Sequence, residues 1–390
     1  MQQLAQRATT LTPSMTLAID AKAKKMKADG VDVCGFGAGE PDFDTPQNIK
    51  DAATKAMAEG FTKYTPSSGI PELRAAIAEK LKTDNGLDYK PSQVIVNCGA
   101  KHSCYNVILA TCQAGDEVII PAPYWLSYPE MVKLADASPV IVGTQEENGF
   151  KITPEQFRDA MTPATKLIIL NSPGNPTGSV YTREELLALT EVALEEDILM
   201  LSDEIYEKIT YDNTEHVSLA SLGNQIYDLT VTVNGFSKAY AMTGWRLGYI
   251  AAPEHIAAAI DSIQSHSTSN PTSFAQKGAL AGLKGDQSFI GEMVKAFAER
   301  REYMYTKLTS IPGVTCVKPM GAFYMLPNIS RFGLGSENFC GKLLDQQKVA
   351  AVPGIAFGSD AHIRLSYACS MENIQKGLDR IEAFCASLAK

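Results

Sequence analysis

The amino-acid sequence predicts an α/β fold built on a mostly parallel sheet that helices cover on both faces. Short apolar runs alternate with helical patterns through the middle of the chain, and the runs are almost continuously apolar, as strands buried on both faces are. The runs are QVIVNC (93–98), DEVIIP (116–121), SPVIVG (138–143), KLIILN (166–171), ILMLSDE (198–204) and LTVTVN (229–234). Ligands of such folds bind beyond the carboxyl ends of the strands, so polar residues there are the first candidates for a functional site.

The stretch REELLALTEVALEED (183–197) predicts a helix between two of these strands, and Thr182, directly before it, is the predicted N-cap. The pattern changes after about residue 285. A long helical stretch is followed there by two short apolar runs and a final helix, which predicts a second, smaller α+β domain. These elements are MVKAFAERREYMYTKL (293–308), GAFYML (321–326), HIRLSYA (362–368) and a helix from about Met371.

Three segments therefore organise the 390 residues. A chain of this length is too long for one small core. We predict a large domain at 46–285 and a small domain at 286–390. Residues 1–45 show no strong periodicity of their own, and we expect them to pack against the small domain.

Composition and charge narrow the classes of partner. The hydrophobic fraction of 45% is ordinary for a globular protein, and the net charge of −9 argues against nucleic acid or an anionic membrane. The net charge does not exclude small anionic substrates, because a local group of Arg and Lys residues can form a positive site on a protein that is negative overall. The first residues, MQQLAQRATTLTPSM, lack the apolar centre of a signal peptide, and runs such as KLIIL are too short to span a bilayer. The sequence thus predicts a cytoplasmic protein.

The cysteines and histidines do not predict a metal site. The eight cysteines show no C-x-x-C pair and no histidine at metal-ligand spacing, so we interpret them as reduced, mostly buried thiols. The five histidines are too dispersed along the chain to indicate a cluster from sequence.

A lysine in the segment TVNGFSKAYAMTGWRLGY (232–249) is the first candidate for chemistry. Lys238 follows a β-branched run and a Gly/Ser turn, sits among small and aromatic residues, and is followed by Arg246. A solvated surface charge is the ordinary interpretation of a lysine. An apolar pocket beyond a strand would instead lower the pKa of Lys238, so that it could act as an amine nucleophile or a base.

In the preceding run, ILMLSDE, Asp203 comes just after the apolar residues of the predicted strand. On its own, this acid could cap a helix. In a dry pocket it could instead keep a pyridine nitrogen protonated, as pyridoxal phosphate requires when it acts as an electron sink. Tyr206 follows closely enough in the chain to share such a site.

Three further segments carry candidate residues. NSPGNPTG (171–178) is explained as a rigid turn, but the amide of Asn175 could also reach a ring oxygen or a carboxylate. NCGAKHS (97–103) joins a strand to a helix start, where backbone N–H groups can hold a phosphate, although many α/β loops look alike. Trp125, in PAPYWLSYP, either packs in the core or stacks on a flat cofactor.

Together these segments resemble the class I aminotransferases of the fold type I, pyridoxal-phosphate-dependent superfamily, and most of all the aspartate aminotransferase subgroup Ib. The resemblance covers essentially the whole chain. Its most specific motifs are GEPDFDTP, KYTPSSGIPELR, APYWLSYPEM, NSPGNPTG, SDEIYE, FSKAYAMTGWRLGY and RLSYA. It implies a large domain with a mostly parallel seven-stranded sheet, a smaller α+β domain, and pyridoxal 5'-phosphate as the cofactor.

The resemblance implies roles for the residues around the cofactor ring. Lys238 would bind the cofactor covalently and then move the Cα proton. Asp203 would pair with the ring nitrogen, and Tyr206 would hydrogen-bond the ring hydroxyl. Asn175 would contact that ring oxygen and the substrate carboxylate, while Trp125 would stack on the ring.

The cofactor phosphate would lie, by the same resemblance, among four residues at the ends of neighbouring strands. These are Ala100 and Lys101, through their backbone N–H groups, with Ser237 and Arg246. Tyr64 would reach the phosphate of a neighbouring subunit. The resemblance therefore implies a homodimer with shared active sites.

The resemblance also implies how a substrate is held. Arg364 would bind the α-carboxylate through its planar fork, assisted by the backbone of Gly39. A second carboxylate needs a second cation, and in subgroup Ib a lysine of the phosphate-binding loop provides it, helped by hydroxyls of the N-terminal segment. The matching residues here are Lys101, Thr12, Ser14 and Thr16.

The pairing of Lys101 with Thr12 resembles the prephenate-using members of the subgroup. It predicts transamination between aspartate or glutamate and the 2-oxo acids oxaloacetate and 2-oxoglutarate, with prephenate as a further acceptor that yields arogenate. A solvated lysine at a helix start and an ordinary loop hydroxyl are the alternatives for these two residues. For the whole chain, the alternatives are an aromatic or alanine-type aminotransferase, a pyridoxal-phosphate-dependent lyase, and a non-enzymatic regulator, against which the lack of a basic run argues.

Overall fold

The computed structural model describes residues 4–388, so the outer ends of the predicted terminal segments, 1–3 and 389–390, lie outside the described residues. The helices are α1 Gln6–Thr9, α2 Met15–Ala28, α3 Gln47–Ala58, α4 Pro71–Asn85, α5 Ala100–Thr111, α6 Ser127–Leu134, α7 Pro154–Ala160, α8 Arg183–Glu195, α9 Asn224–Asp228, α10 Glu254–Ser265, α11 Ser273–Lys284, α12 Ser288–Ser310, α13 Ser336–Gln347 and α14 Met371–Leu388. The strands are β1 Cys34–Gly35, β2 Val94–Asn97, β3 Glu117–Ala122, β4 Ser138–Gly143, β5 Thr165–Asn171, β6 Leu199–Asp203, β7 Thr230–Gly235, β8 Gly248–Ala251, β9 Tyr324–Met325, β10 Val349–Ala350, β11 Val352–Pro353 and β12 Ile363–Ser366. Within this described range, no helix combines the length and apolar character needed to cross a membrane.

Seven strands form the central sheet, in the order β2-β8-β7-β6-β5-β3-β4. β8 runs antiparallel to both of its neighbours, and the other neighbours pair in parallel. The predicted α/β fold with a mostly parallel seven-stranded sheet is therefore confirmed. All six runs identified in the sequence form strands, with ends shifted by at most one residue. The pattern did not reveal β8, because its four residues directly after a turn give too short an apolar run.

Helices bury both faces of this sheet, because successive side chains of a strand point to opposite sides. In β6, Leu201 packs in a cluster with Val107 of α5. Its neighbour Met200 packs in a second cluster with Leu189 of α8. α8 begins at the predicted N-cap: the Thr182 side chain accepts from the N–H of Glu185 (3.3 Å), and the Glu185 carboxylate accepts from the N–H of Thr182 (2.8 Å).

The chain after residue 285 contains a small antiparallel sheet, β11-β12-β9, together with α12, α13 and α14. The N-terminal segment joins this part of the molecule, since β1 pairs in parallel with β10. Ala23 of α2 and Val33 pack there with Leu344 and Ala350. The segment also contains the helix α2, which the weak apolar periodicity of its residues did not reveal. The boundaries of the three predicted segments stay a prediction.

The carboxyl ends of β5, β6 and β7 lie side by side at one edge of the central sheet. In the strand register Asn171 is the partner of Asp203, and Asp203 is the partner of Val233. The Asn171 side-chain amide also donates to the carbonyl oxygen of Asp203 at 2.9 Å. The sheet therefore holds next to one another the segments that contain residues predicted for the site.

Candidate active site

One pocket at this edge of the sheet gathers most of the predicted site residues. Its volume is about 640 Å³. The predicted residues that line it are Thr16, Gly39, Ala100, Lys101, Trp125, Asn175, Asp203, Tyr206, Ser237, Lys238, Arg246 and Arg364. Thr12, Ser14 and Tyr64 lie outside this lining.

Lys238 lies in the turn that follows β7, with its amine inside the pocket. The ammonium donates a hydrogen bond to the carbonyl oxygen of Gly39. Burial lowers the pKa of Lys238 to about 8; Arg364 and Arg246 add to this effect, while the Glu40 carboxylate opposes it. A substantial fraction of this amine is therefore neutral near pH 8, as a nucleophile or a base requires.

Asp203 is buried at the end of β6, with only 3% of its surface exposed. Its carboxylate accepts from the hydroxyl of Tyr128 at 2.7 Å and from the N–H of Ile205 at 3.2 Å, and the thiol of Cys104 lies 3.8 Å away. Burial raises the pKa of Asp203 to about 6, although these hydrogen bonds oppose the change. The residues after Asp203 form a turn and not a helix, so the helix-cap alternative is wrong.

Tyr128 and Cys104 are site residues that sequence reasoning missed. Both lie on helices, α6 and α5, and reach Asp203 only through the tertiary fold. Tyr128 also holds Trp125, since the two rings meet edge to face with centroids 5.2 Å apart. The only available signal for Tyr128 was its position in the motif APYWLSYPEM.

Glycines bring Arg246 against the N-terminus of α5. A Cβ atom on Gly99, whose φ is +89°, would come within 2.5 Å of Arg246 Nη2. A Cβ atom on Gly248 would come within 2.3 Å of the backbone nitrogen of Ala100. Arg246 donates to the carbonyl oxygens of Thr243 (2.8 Å) and, at 3.3 Å, of Cys98. A guanidinium beside the first N–H groups of a helix is a site suited to an anion.

Arg364 lies on β12, with only 2% of its surface exposed. Its guanidinium donates to Asn175 Oδ1 at 3.1 Å and to the carbonyl oxygen of Gly37 at 2.9 Å. It also packs against the ring of Tyr324, with 4.5 Å between the guanidinium carbon and the ring centroid. Its Nε–H is buried without a hydrogen-bond partner in the described structure. The guanidinium of Arg364 is thus held in one orientation, and its Nε–H can still donate a hydrogen bond.

The N-terminal segment contributes one predicted hydroxyl to the pocket. Ser14 caps α2, where it accepts from the N–H of Leu17 at 3.5 Å. Its hydroxyl lies 3.0 Å from that of Thr16, which does line the pocket. Thr12 is held by its backbone N–H, which donates to the Glu130 carboxylate at 3.0 Å.

The pocket is cationic although the protein as a whole is acidic. Two carboxylates, Glu40 and Asp203, line it. The cations of its lining outnumber them and are Lys24, Lys101, Lys238, Arg246 and Arg364. This local excess of positive charge favours small anionic ligands, as carboxylates and phosphates are.

A second buried group of ionisable residues lies next to the pocket wall. Glu204, Glu207 and His216 come close enough together to suggest metal ligands, which their spacing in the sequence did not indicate. Their charges are already compensated. Lys80 forms an ion pair with Glu207, and together with His216 it outweighs burial and lowers the pKa of Glu207 to about 2. His216 in turn contacts the Glu204 carboxylate at 3.1 Å, so we interpret the group as an ion-pair network.

Comparison with known proteins identifies the family. The family model described as aminotransferase class I and II matches residues 31–381. The chain belongs to this family. Its members use pyridoxal phosphate, and the resemblance, the enzyme class and the cofactor inferred from the sequence are confirmed.

The relatives of this aminotransferase match it over nearly its full length. An aspartate aminotransferase of Bacillus subtilis (strain 168) is 54% identical, over 98% of this chain and 98% of its own. An aspartate/prephenate aminotransferase of Cereibacter sphaeroides (strain ATCC 17029 / ATH 2.4.9) is 49% identical, over 97% of each chain. A solved structure of the aspartate aminotransferase from Thermus thermophilus with maleate has a TM-score of 0.95 and 44% identity, and the match covers 98% of this chain and 100% of that one.

Proposed function

We propose that this aminotransferase moves the amino group of aspartate or glutamate to 2-oxo acids such as oxaloacetate and 2-oxoglutarate, and that it also converts prephenate to arogenate. The observation that carries the proposal is the pocket, in which a lysine of lowered pKa shares one cavity with a buried carboxylate and several further cations. The relatives support the choice of substrates, since two of them are named an aspartate and an aspartate/prephenate aminotransferase.

The donor groups of the pocket fit pyridoxal phosphate. The first N–H groups of α5, at Ala100 and Lys101, lie beside Arg246 because Gly99 leaves room for the guanidinium, and with Ser237 they would hold the phosphate. A dianion suits this place because the helix N-terminus and the arginine are both positive. A neutral ligand would not need these positively charged groups.

The remaining contacts would surround the ring of the cofactor. Lys238 would hold it covalently, and Asp203 would keep the ring nitrogen protonated. Tyr206 would donate its hydroxyl proton to the ring oxygen, and Trp125 would cover one face of the ring. This proposed arrangement is supported by the fact that all four side chains line the same pocket.

Each protein group then has a separate task in the reaction. The bound cofactor supplies an electron-withdrawing ring, which takes up the electrons left when the substrate loses its Cα proton. The Lys238 amine, whose lowered pKa leaves part of it neutral, would remove that proton as a base and return it on the way to products. Asp203 would stabilise the positive charge at the ring nitrogen. Arg364 and Asn175 hold the α-carboxylate, so that the Cα–H bond faces the amine.

Replacing Arg364 with lysine is expected to weaken amino-acid binding about 10- to 100-fold, because a point charge replaces a fork that can make two charge-assisted hydrogen bonds. The measurement is the KM for aspartate and the inhibition constant of maleate. Arg300→Lys is the matched control, since Arg300 pairs with Asp42 at 2.7 Å and lies outside the pocket lining. If Arg364→Lys left the affinity for every donor unchanged, the carboxylate would be held elsewhere.

The second carboxylate of a dicarboxylic substrate would be bound at the Lys101 side of the pocket. The Lys101 ammonium lies 4.9 Å from the centre of the Trp125 ring, and partial burial together with Arg246 lowers its pKa. A carboxylate from the substrate would relieve this repulsion between neighbouring cations. Thr16 adds a hydroxyl to the same lining, and the hydroxyl of Ser14, at the N-cap of α2, lies 3.0 Å from it. Thr12 lies outside the lining, and the contribution of its hydroxyl stays a prediction.

Lys101→Ala is expected to lower kcat/KM for aspartate, oxaloacetate and prephenate by about 10- to 100-fold, the value of a hydrogen bond between charged groups. Monocarboxylic aromatic acids should be spared, because they have no distal carboxylate. A panel of amino donors against oxaloacetate, 2-oxoglutarate and prephenate measures this difference. Lys55→Ala, on the exposed side of α3, is the control for the loss of a positive charge.

The same panel tests the proposed substrates in the unmodified enzyme. Arogenate should form from prephenate with aspartate or glutamate as donor. If prephenate gives no arogenate where oxaloacetate reacts readily, the proposal of a second acceptor is wrong and an aspartate aminotransferase remains. A general preference for aromatic or alanine-type donors would refute the proposed donors as well.

The enzyme would act in the cytoplasm as a homodimer in which Tyr64 reaches the phosphate of the neighbouring subunit. Tyr64 is 90% exposed in the single chain and does not line the pocket of that chain. A large aromatic side chain left in water is consistent with a surface that a second copy covers. All eight cysteines are free thiols, which suits a reducing compartment. A monomer by light scattering at assay concentration would exclude the shared site.

A further inference from the structure

Tyr324 lies in the pocket at a place to which the sequence assigned no role. It belongs to β9 and is 0% exposed. Its hydroxyl oxygen lies 2.8 Å from that of Tyr206. Its ring packs against the guanidinium of Arg364, whose central carbon lies 4.5 Å from the ring centroid. Tyr324 therefore contacts both the residue proposed for the ring oxygen and the residue proposed for the substrate carboxylate.

We propose that Tyr324 is a positioning residue that strengthens the hydrogen bond from Tyr206 to the cofactor, an inference that rests on the proposed function. Each tyrosine hydroxyl has one proton to donate. Once Tyr206 donates its proton to the ring oxygen, its own oxygen can only accept from Tyr324. The two hydroxyls then form a directed chain, in which each hydrogen bond polarises the next.

The surroundings of the pair favour this chain. Burial raises the pKa of Tyr324, although Arg364 opposes the rise, so its hydroxyl keeps its proton and can donate. The backbone of Gly39 comes close, since a Cβ atom there would lie 3.4 Å from the Tyr324 hydroxyl. The rings of Tyr206 and Phe323 meet edge to face at 5.4 Å, which holds the acceptor in place. In such an enclosed environment hydrogen bonds are stronger than in water.

Tyr324→Phe tests the chain, because it keeps the ring against Arg364 and removes only the hydroxyl. The midpoint of the pH titration of the bound cofactor's visible absorption should rise by about 0.2 to 0.7 pH unit. A weaker hydrogen bond from Tyr206 would leave more negative charge on the ring oxygen, and this charge would favour protonation of the nearby Lys238 nitrogen. The affinity for maleate should stay within about a factor of two, because the ring contact remains.

Two further variants separate this role from a structural one. In a Tyr206→Phe background, Tyr324→Phe should add no shift, since the effect passes through Tyr206. Tyr367→Phe, which removes another buried hydroxyl of the same core that donates to the Ala322 carbonyl at 3.2 Å, should leave the midpoint unchanged. Thermal melting of all variants controls for folding.

An unchanged midpoint in Tyr324→Phe would overturn the proposal. An equal shift with and without the Tyr206 hydroxyl would overturn it too, since the effect would then not pass through that group. Neither result bears on the donors and acceptors of the unmodified enzyme, which the substrate panel tests separately.

Discussion

Replacing Lys238 with alanine is expected to reduce transamination by about 10⁴-fold or more, because nucleophile and base are lost together. The other groups of the pocket stay in place. In the proposed site, Arg246 and the N-terminus of α5 would still hold the phosphate, and Asp203 would still face the ring nitrogen. We therefore expect the variant to bind pyridoxal phosphate without a covalent link.

The measurement combines activity with chemical trapping. Borohydride reduction of the unmodified enzyme should fix the cofactor on the peptide that contains Lys238, and no lysine of Lys238→Ala should be labelled. Lys277→Ala is the control. The Lys277 ammonium lies 4.8 Å from the centre of the Phe61 ring, much as that of Lys238 lies 5.8 Å from the centre of the Tyr206 ring, but Lys277 is outside the pocket lining. The Lys277→Ala variant should keep full activity. Normal turnover by Lys238→Ala would show that another group performs the proton transfer.

Replacing Asp203 with alanine is expected to slow the reaction by about 10²- to 10³-fold, the size of a preorganised electrostatic contribution to a transition state. Without the proposed partner carboxylate, the ring nitrogen would lose its proton and the ring would accept electrons poorly. The loss should appear in Cα proton removal and not in substrate binding. Deuterium at Cα should therefore produce a larger isotope effect on kcat than in the unmodified enzyme.

The binding of maleate reports whether the pocket of Asp203→Ala remains intact, and its affinity should change little. Asp345→Ala is the matched control, because that carboxylate is 72% exposed and lies outside the pocket. A fall in maleate affinity as large as the fall in rate would mean that Asp203 supports the shape of the pocket and not the electronic step.

The central sheet could be predicted because its strands are buried on both faces. Runs such as KLIILN contain no polar position in their interior, and this pattern distinguishes them from half-exposed strands. β8 and α2 could not be predicted for opposite reasons. β8 is only four residues long, and α2 has too few apolar residues in helical register to mark a buried face.

The candidate site could be predicted where a residue lies at the end of a strand or shortly after it. Lys238 and Asp203 are of this kind, because the sheet brings the ends of β6 and β7 together. Tyr128 and Tyr324 are of another kind. They reach the pocket from a helix and from a strand of the small sheet, and only tertiary packing brings their hydroxyls to Asp203 and Tyr206.

The most direct test of transamination gives the cofactor-loaded enzyme one substrate at a time. The aspartate carries a nitrogen isotope in its amino group. With this aspartate alone, we expect a single equivalent of oxaloacetate per active site and no free ammonia, because the amino group stays on the enzyme. Unlabelled 2-oxoglutarate, added after free aspartate is removed, should then yield labelled glutamate in the same amount. Continuous release of labelled ammonia from aspartate alone would contradict the account, because a lyase and not an aminotransferase would produce it.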